Sequence, residues 1–271
     1  VVDLFPEERE LLLTLLEQLT SEDWARPTAC PGWSVKDIAL HLLGDEMGIL
    51  SRTRDGFSYG SPDIGADDPW GDLVNWLGDW NEKWVAAMRR ISPRLLVELL
   101  RFTGDEVYTC FKSLDPFEIG GAVSWAGPDP APKWLDIARE YTERWVHHQQ
   151  IRDALGRPGL YEPKYFAPVL AAFTRALPHT FRDIDAHDGA TVKLTISGEA
   201  GGEWFTVRDT NNWKLYVQSN EHPDSHVTID QGIAWRLFTK GIDKNRAISK
   251  STIEGNEKLG LKVFDTVAII A

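Results

Sequence analysis

Over the first 160 residues the apolar positions recur at steps of three and four. Leu4, Leu11, Leu12, Leu15, Leu16 and Leu19 make one stripe and predict an amphipathic helix. Thr28-Ala29-Cys30-Pro31-Gly32-Trp33 interrupts the pattern, since Pro31-Gly32 forbids a helix, and Ser34 is placed to cap a second helix that runs to about residue 56. A loop rich in Gly, Pro and Asp over 56–69 leads into a helical stretch over 70–91, and Pro93 opens another that continues to about 114. Residues 115–132 read as a long irregular connection, a kind of segment that is usually functional in compact domains. A further helix over 133–155 ends at Gly156-Arg157-Pro158-Gly159, a strong terminator.

After one more helical segment, 163–184, the period shortens to two. Residues 190–198, 203–209, 212–219 and 226–230 alternate apolar and polar between Gly, Asn and Asp turns, and predict a small antiparallel sheet. Short helices near 232–239 and 257–267 flank Ser251-Thr252-Ile253-Glu254-Gly255-Asn256. The chain therefore reads as two domains, a helical one over 1–160 and an α+β one over 161–271, which its 271 residues and 42% hydrophobic content can support.

Charge and composition remove several classes of function. A net charge of -12 without a basic cluster argues against a sequence-independent grip on nucleic acid or an anionic membrane. No apolar run reaches 18 residues and the amino terminus is amphipathic, so neither a membrane span nor a signal peptide is expected and the protein reads as soluble and cytoplasmic. Cys30 and Cys110 lack the spacing of a metal knuckle or redox pair and are expected to be reduced. The 12 tryptophans are scattered, which favours core packing over a single binding platform.

The stretch from Glu140 to Gly159 holds the candidate chemistry. Glu143 and His147 are four apart and share one helix face, so both can reach a common ion, although such a pair is more often a solvated ion pair. His41, between Ala39-Leu40 and Leu42-Leu43 on the second helix, is the candidate third ligand; its ordinary reading is a hydrogen-bonded core histidine. Two imidazoles and a carboxylate from facing helices of a bundle suit zinc. His148 lies about 140° around the helix from Glu143 and suits packing or a supporting hydrogen bond. His179, His187, His222 and His226 have no partner at ligand spacing. Arg52, Arg54 and Arg144 can hold a carboxylate substrate, with solvated surface positions as their default.

In these residues the chain resembles the mycothiol-dependent maleylpyruvate isomerase family. Cys30-Pro31-Gly32-Trp33, a following helix bearing His41, and Glu143-x-x-x-His147 nine residues ahead of Gly156 match its pattern. The resemblance implies an up-down four-helix bundle of the DinB-like type with His41, Glu143 and His147 on a divalent metal, most simply zinc. A small α+β domain similar to sterol carrier proteins would follow. The Gly156 spacing selects His147 over His148. Where the family commonly has His-Arg-Trp-Asp, this chain has His147-His148-Gln149-Gln150, which places any role of the missing Arg and Asp in question.

Three functional readings follow from such a site. The first, implied by the resemblance, is an isomerase or S-transferase that uses a low-molecular-weight thiol of the mycothiol type on a small electrophile. The second is a zinc hydrolase that activates water on the same three residues. The third is a binding protein that keeps the bundle and metal, or the bundle alone, without turnover. In all three Cys30 is structural, the partners are small molecules, and the chain is a monomer or a homodimer.

Overall fold

The first apolar stripe forms α1 (Phe5–Glu17), which buries Phe5, Leu12, Leu13, Leu15 and Leu16 in the computed structural model of the chain. The structure describes residues 1–57, 67, 69–219 and 222–268. Each fully buried leucine contributes roughly 2 kcal/mol of transfer free energy. A short helix not expected from the pattern, α2 (Ser21–Trp24), follows under a reciprocal cap between Thr20 and Asp23. The next helix, α3 (Val35–Ile49), starts at the expected Ser34, whose side chain accepts from the Asp37 N–H while Asp37 accepts from the Ser34 N–H. It continues into a wider π turn, Leu50–Arg54. Most of the expected loop over 56–69 lies outside the described residues.

The helices α4 (Pro69–Met88), α5 (Pro93–Ser113) and α6 (Lys133–Leu155) complete the helical part. A shared core draws on Leu12, Leu13 and Leu16 of α1, Ile38, Ala39 and Leu42 of α3, Leu96 and Leu100 of α5, and Ile151 of α6. Against this bundle α4 packs along α3 at Gly44, where an added Cβ would lie 2.5 Å from the Trp84 indole nitrogen. That close approach lets Trp84 Nε1 donate to the Leu40 carbonyl at 2.8 Å.

The chain divides into two compact units, Val1–Pro116 with Glu140–Leu160, and Phe117–Arg139 with Tyr161–Ala271. This differs in one segment from the expected 1–160 and 161–271, because 117–139 clusters with the second unit. The segment is also more ordered than the expected irregular connection: β1 (Ile119–Ala122) pairs antiparallel with β2 (Pro130–Pro132), which leads straight into α6. Prolines and glycines hid this hairpin, since they weaken the alternation by which a strand is read.

The rest of the second unit begins with α7 (Pro163–Phe173), a 3-10 turn Thr174–Ala176 and α8 (Leu177–Phe181). Then come β3 (Thr191–Ser197), β4 (Gly202–Asp209), β5 (Asn212–Tyr216), β6 (Ser225–Asp230), α9 (Gln231–Phe238), α10 (Lys244–Ile248), β7 (Thr252–Gly255) and α11 (Glu257–Lys262). The sheet order is β5-β4-β3-β6-β7. Its pairs are antiparallel as expected, except that β3 and β6 run parallel. One face of the central strands buries Val192, Leu194, Ile196, Val227 and Ile229, and α9 supplies Ala234, Trp235, Leu237 and Phe238 to the same unit's core.

Candidate metal centre

Two local structures aim the site. The Cys30-Pro31-Gly32-Trp33 stretch is a tight turn: the Trp33 N–H donates to the Cys30 carbonyl at 3.0 Å, and Gly32 has a φ of +80°. Proline at the second turn position and a positive-φ glycine at the third are the pattern of a type II turn. The turn sets the Trp33 ring 5.3 Å from the His41 ring and points the Cys30 sulfur at Gln150 Oε1, 3.3 Å away. Beyond it, the Ser34 cap fixes where α3 starts and so which residue of that helix faces α6. Asp37, the partner in the cap, is itself held by Arg89 Nε at 2.9 Å.

His41 on α3 meets Glu143 and His147 on α6. Glu143 Oε1 lies 3.2 Å from His41 Nε2 and 3.0 Å from His147 Nε2, and one ligand atom from each of the three residues falls within 4.8 Å of the others. The two imidazole rings are 4.7 Å apart, edge to face at 75°. Glu143 keeps 19% of its side-chain surface exposed against 8% for His41 and 10% for His147, so solvent or a ligand reaches the cluster on the carboxylate side. The structure thus brings together all three residues singled out from the sequence.

Gln150 orients the cluster. His147 Nδ1 donates to Gln150 Oε1 at 2.8 Å, and the Cys30 thiol donates to the same oxygen. With the ring proton on Nδ1, the Nε2 lone pair faces Glu143 Oε1. Two electron-rich atoms 3.0 Å apart need a cation between them, either a proton or a metal. Without a metal it is the proton: burial opposes the charge, but the Glu143 carboxylate, aided by Cys30, holds His147 well above the ordinary histidine range. Burial likewise works against the Glu143 anion, and His147 with the hydrogen bond from His41 outweighs it and keeps the carboxyl well below its usual range. His41 moves the other way, lowered mainly by burial. The donor set of two imidazole nitrogens and one carboxylate oxygen, with a supporting acceptor behind one ring, fits zinc.

His148 faces away from this cluster. It is fully buried, with Nδ1 2.7 Å from Glu8 Oε1 and Nε2 accepting from Arg152 Nε at 2.9 Å. Arg144 is buried as well, contrary to its expected surface position. It pairs with Glu140 Oε2 at 3.2 Å and Glu46 Oε1 at 3.4 Å, and Glu46 also pairs with the buried Arg9. Burial and the charge of Arg144 push Arg9 down to about 10. Arg54 pairs at the surface with Asp55 and Glu106. The buried ion pairs of Glu8, Arg9 and Glu46 were not singled out from the sequence. Their signal was the helical phase: Glu8 and Arg9 sit one turn before the buried Leu12 and Leu13, hence on the same apolar face.

Residues 5–152 match the family described as the mycothiol maleylpyruvate isomerase N-terminal domain. The chain belongs to this family. An uncharacterized protein present in two strains of Mycobacterium tuberculosis is 26% identical over 156 residues, and that match spans 58% of this chain and 56% of the relative's length. The crystal structure of the mycothiol-dependent maleylpyruvate isomerase aligns over 93% of this chain and 91% of that one with a TM-score of 0.54 at 10% identity. A mutant of that enzyme gives the same TM-score at 9% identity, so the two share a fold with this chain at very low identity. Within the described residues no helix is long and apolar enough to cross a membrane. Gln150 stands where the resemblance leads one to expect Asp. Its carbonyl oxygen still accepts from His147 Nδ1, so the substitution keeps the hydrogen bond and gives up only a negative charge.

Proposed function

We propose that the chain is a metal-dependent enzyme of the mycothiol maleylpyruvate isomerase family. On this reading it uses a small thiol of the mycothiol class to isomerise a small electrophilic substrate, or to conjugate it through the thiol sulfur. The observation that carries the reading is the meeting of His41 Nε2, His147 Nε2 and Glu143 Oε1 around one point, with Gln150 fixing the His147 tautomer. His41, Glu143 and His147 would hold the ion. A divalent cation held there would supply Lewis acidity and would lower the pKa of a thiol that binds it. The chain's own part is orientation and shelter: Gln150 keeps the His147 proton on Nδ1, Trp33 walls off one side of His41, and the partly exposed Glu143 marks the side of entry.

Elemental analysis of the purified protein should return about one divalent ion per chain. In its presence a low-molecular-weight thiol should raise the melting temperature in proportion to RT ln(1 + [L]/Kd), and the matching alcohol should do so far less. In the Glu143→Gln protein the thiol shift should vanish. Water-dependent ester or amide cleavage that is abolished by chelation, with no thiol shift, would replace this reading with the hydrolase one.

A further inference from the structure

Within the second unit lies an open cavity of about 400 Å³, lined by Trp134, Arg175, Pro178, Lys214, Leu215 and Tyr216 among others. Its walls are largely apolar or aromatic, and its charged lining groups are both cations. Lys214 is partly neutralised by Asp209 through an ion pair along the β4–β5 hairpin. Arg175 has no such partner. Among the described residues its guanidinium makes neither a hydrogen bond nor an ion pair, and it lies over the face of Trp134, 5.3 Å from its carbon to the ring centroid. Half-burial without an anion disfavours its charge, and its pKa is lowered by desolvation alone.

A guanidinium presents donors in a planar fork that matches the two oxygens of a carboxylate. Here that fork lies over an indole, in a cavity also lined by Pro178, Leu215 and Tyr216. One uncompensated positive charge calls for one negative charge, and the apolar lining calls for a flat apolar body. We propose that the Arg175 cavity binds a small monocarboxylate with a planar, apolar body, the carboxylate on Arg175 and the body against Leu215 and Tyr216. None of the three clustered residues lines this cavity, and the proposal does not depend on the thiol reading.

The test is titration of the full-length protein with benzoate and with benzamide, its neutral isostere, followed through the Arg175 side-chain N–H and Trp134 indole resonances. Benzoate should saturate both shifts at millimolar concentration, as suits a ligand of fragment size, and benzamide should leave them unmoved. Arg175→Gln should weaken benzoate binding at least tenfold, Arg175→Lys should lie between because it keeps the charge and loses the fork, and Arg94→Gln on the exposed face of α5 should match the wild type. Glu143→Gln should leave benzoate binding intact. Equal response to benzoate and benzamide, or none to either, overturns the proposal from the wild-type protein alone. So does benzoate binding that survives in Arg175→Gln and disappears in Glu143→Gln, which would place the carboxylate on the three-residue cluster.

Discussion

His147 and His148 are neighbours in the chain with opposite duties, and substitution should separate them. His147→Ala should abolish metal binding in folded protein. His148→Ala should leave the stoichiometry unchanged while costing roughly 1–3 kcal/mol, because the buried Glu8 carboxylate loses its partner. Metal analysis beside urea denaturation reads both. Gln150→Leu should weaken metal affinity by about 10- to 100-fold by freeing the His147 ring, and Gln150→Asp should restore it, as measured by competition with a chelating dye. The raised pKa of His147 adds a pH signature. Its stabilising contribution in metal-free protein is complete below its ordinary value of 6.5 and is lost as pH rises through the folded value. Glu143 contributes above its ordinary 4.5, and that is lost as pH falls through its lowered folded value. Hence the melting temperature of chelator-treated protein should fall on going from pH 6.5 into the alkaline range, while the increment given by zinc should grow, since less proton remains to be displaced. A zinc increment independent of pH would show that His147 carries no proton to displace. At this scale the three clustered residues were legible, through an i,i+4 pair, a histidine set in an apolar run and the motifs shared with the family. The role of Gln150 was not, because an amide shows its acceptor only against the Nδ1 it faces.

At the scale of elements, the helices were legible where a cap or breaker bounded an apolar stripe. Ser34 announces α3, and Gly156 ends α6. What escaped was burial all round. The middle of α6 hides Glu140, Arg144, His148 and Gln149 as well as Tyr141 and Trp145, so it has no polar face from which its orientation could be read. The parallel β3–β6 pair escaped for another reason: alternation reports which face a strand buries and is silent about the direction of its neighbour. The contact of α3 with α4 gives an element-scale prediction. Alanine is the better helix former by about 1 kcal/mol, yet Gly44→Ala should destabilise the protein by about 1–2 kcal/mol because the methyl meets the Trp84 indole. The urea midpoint should fall; a rise would mean that Trp84 moves aside without cost.

For the whole molecule, the change from a period near 3.6 to a period of two after residue 184 made two kinds of architecture legible, and the family match extends over the helical part. The allegiance of 117–139 was invisible, since nothing local in a proline-rich segment tells which core it joins. A fragment ending at residue 160 should therefore carry Val123, Trp125 and Leu135 without the partners that bury them, bind hydrophobic dyes and self-associate on a sizing column. The interleaving also bears on how such a chain can be inherited or rebuilt. Recombination that respects the units needs junctions at 116/117, 139/140 and 160/161, and the middle one falls inside α6. A crossover there that gains or loses a single residue turns everything downstream by about 100° about the helix axis. Glu143 and His147 would then swing away from His41 while every sequence motif stayed intact, so the reading frame of this chain is kept by helical phase as much as by codons.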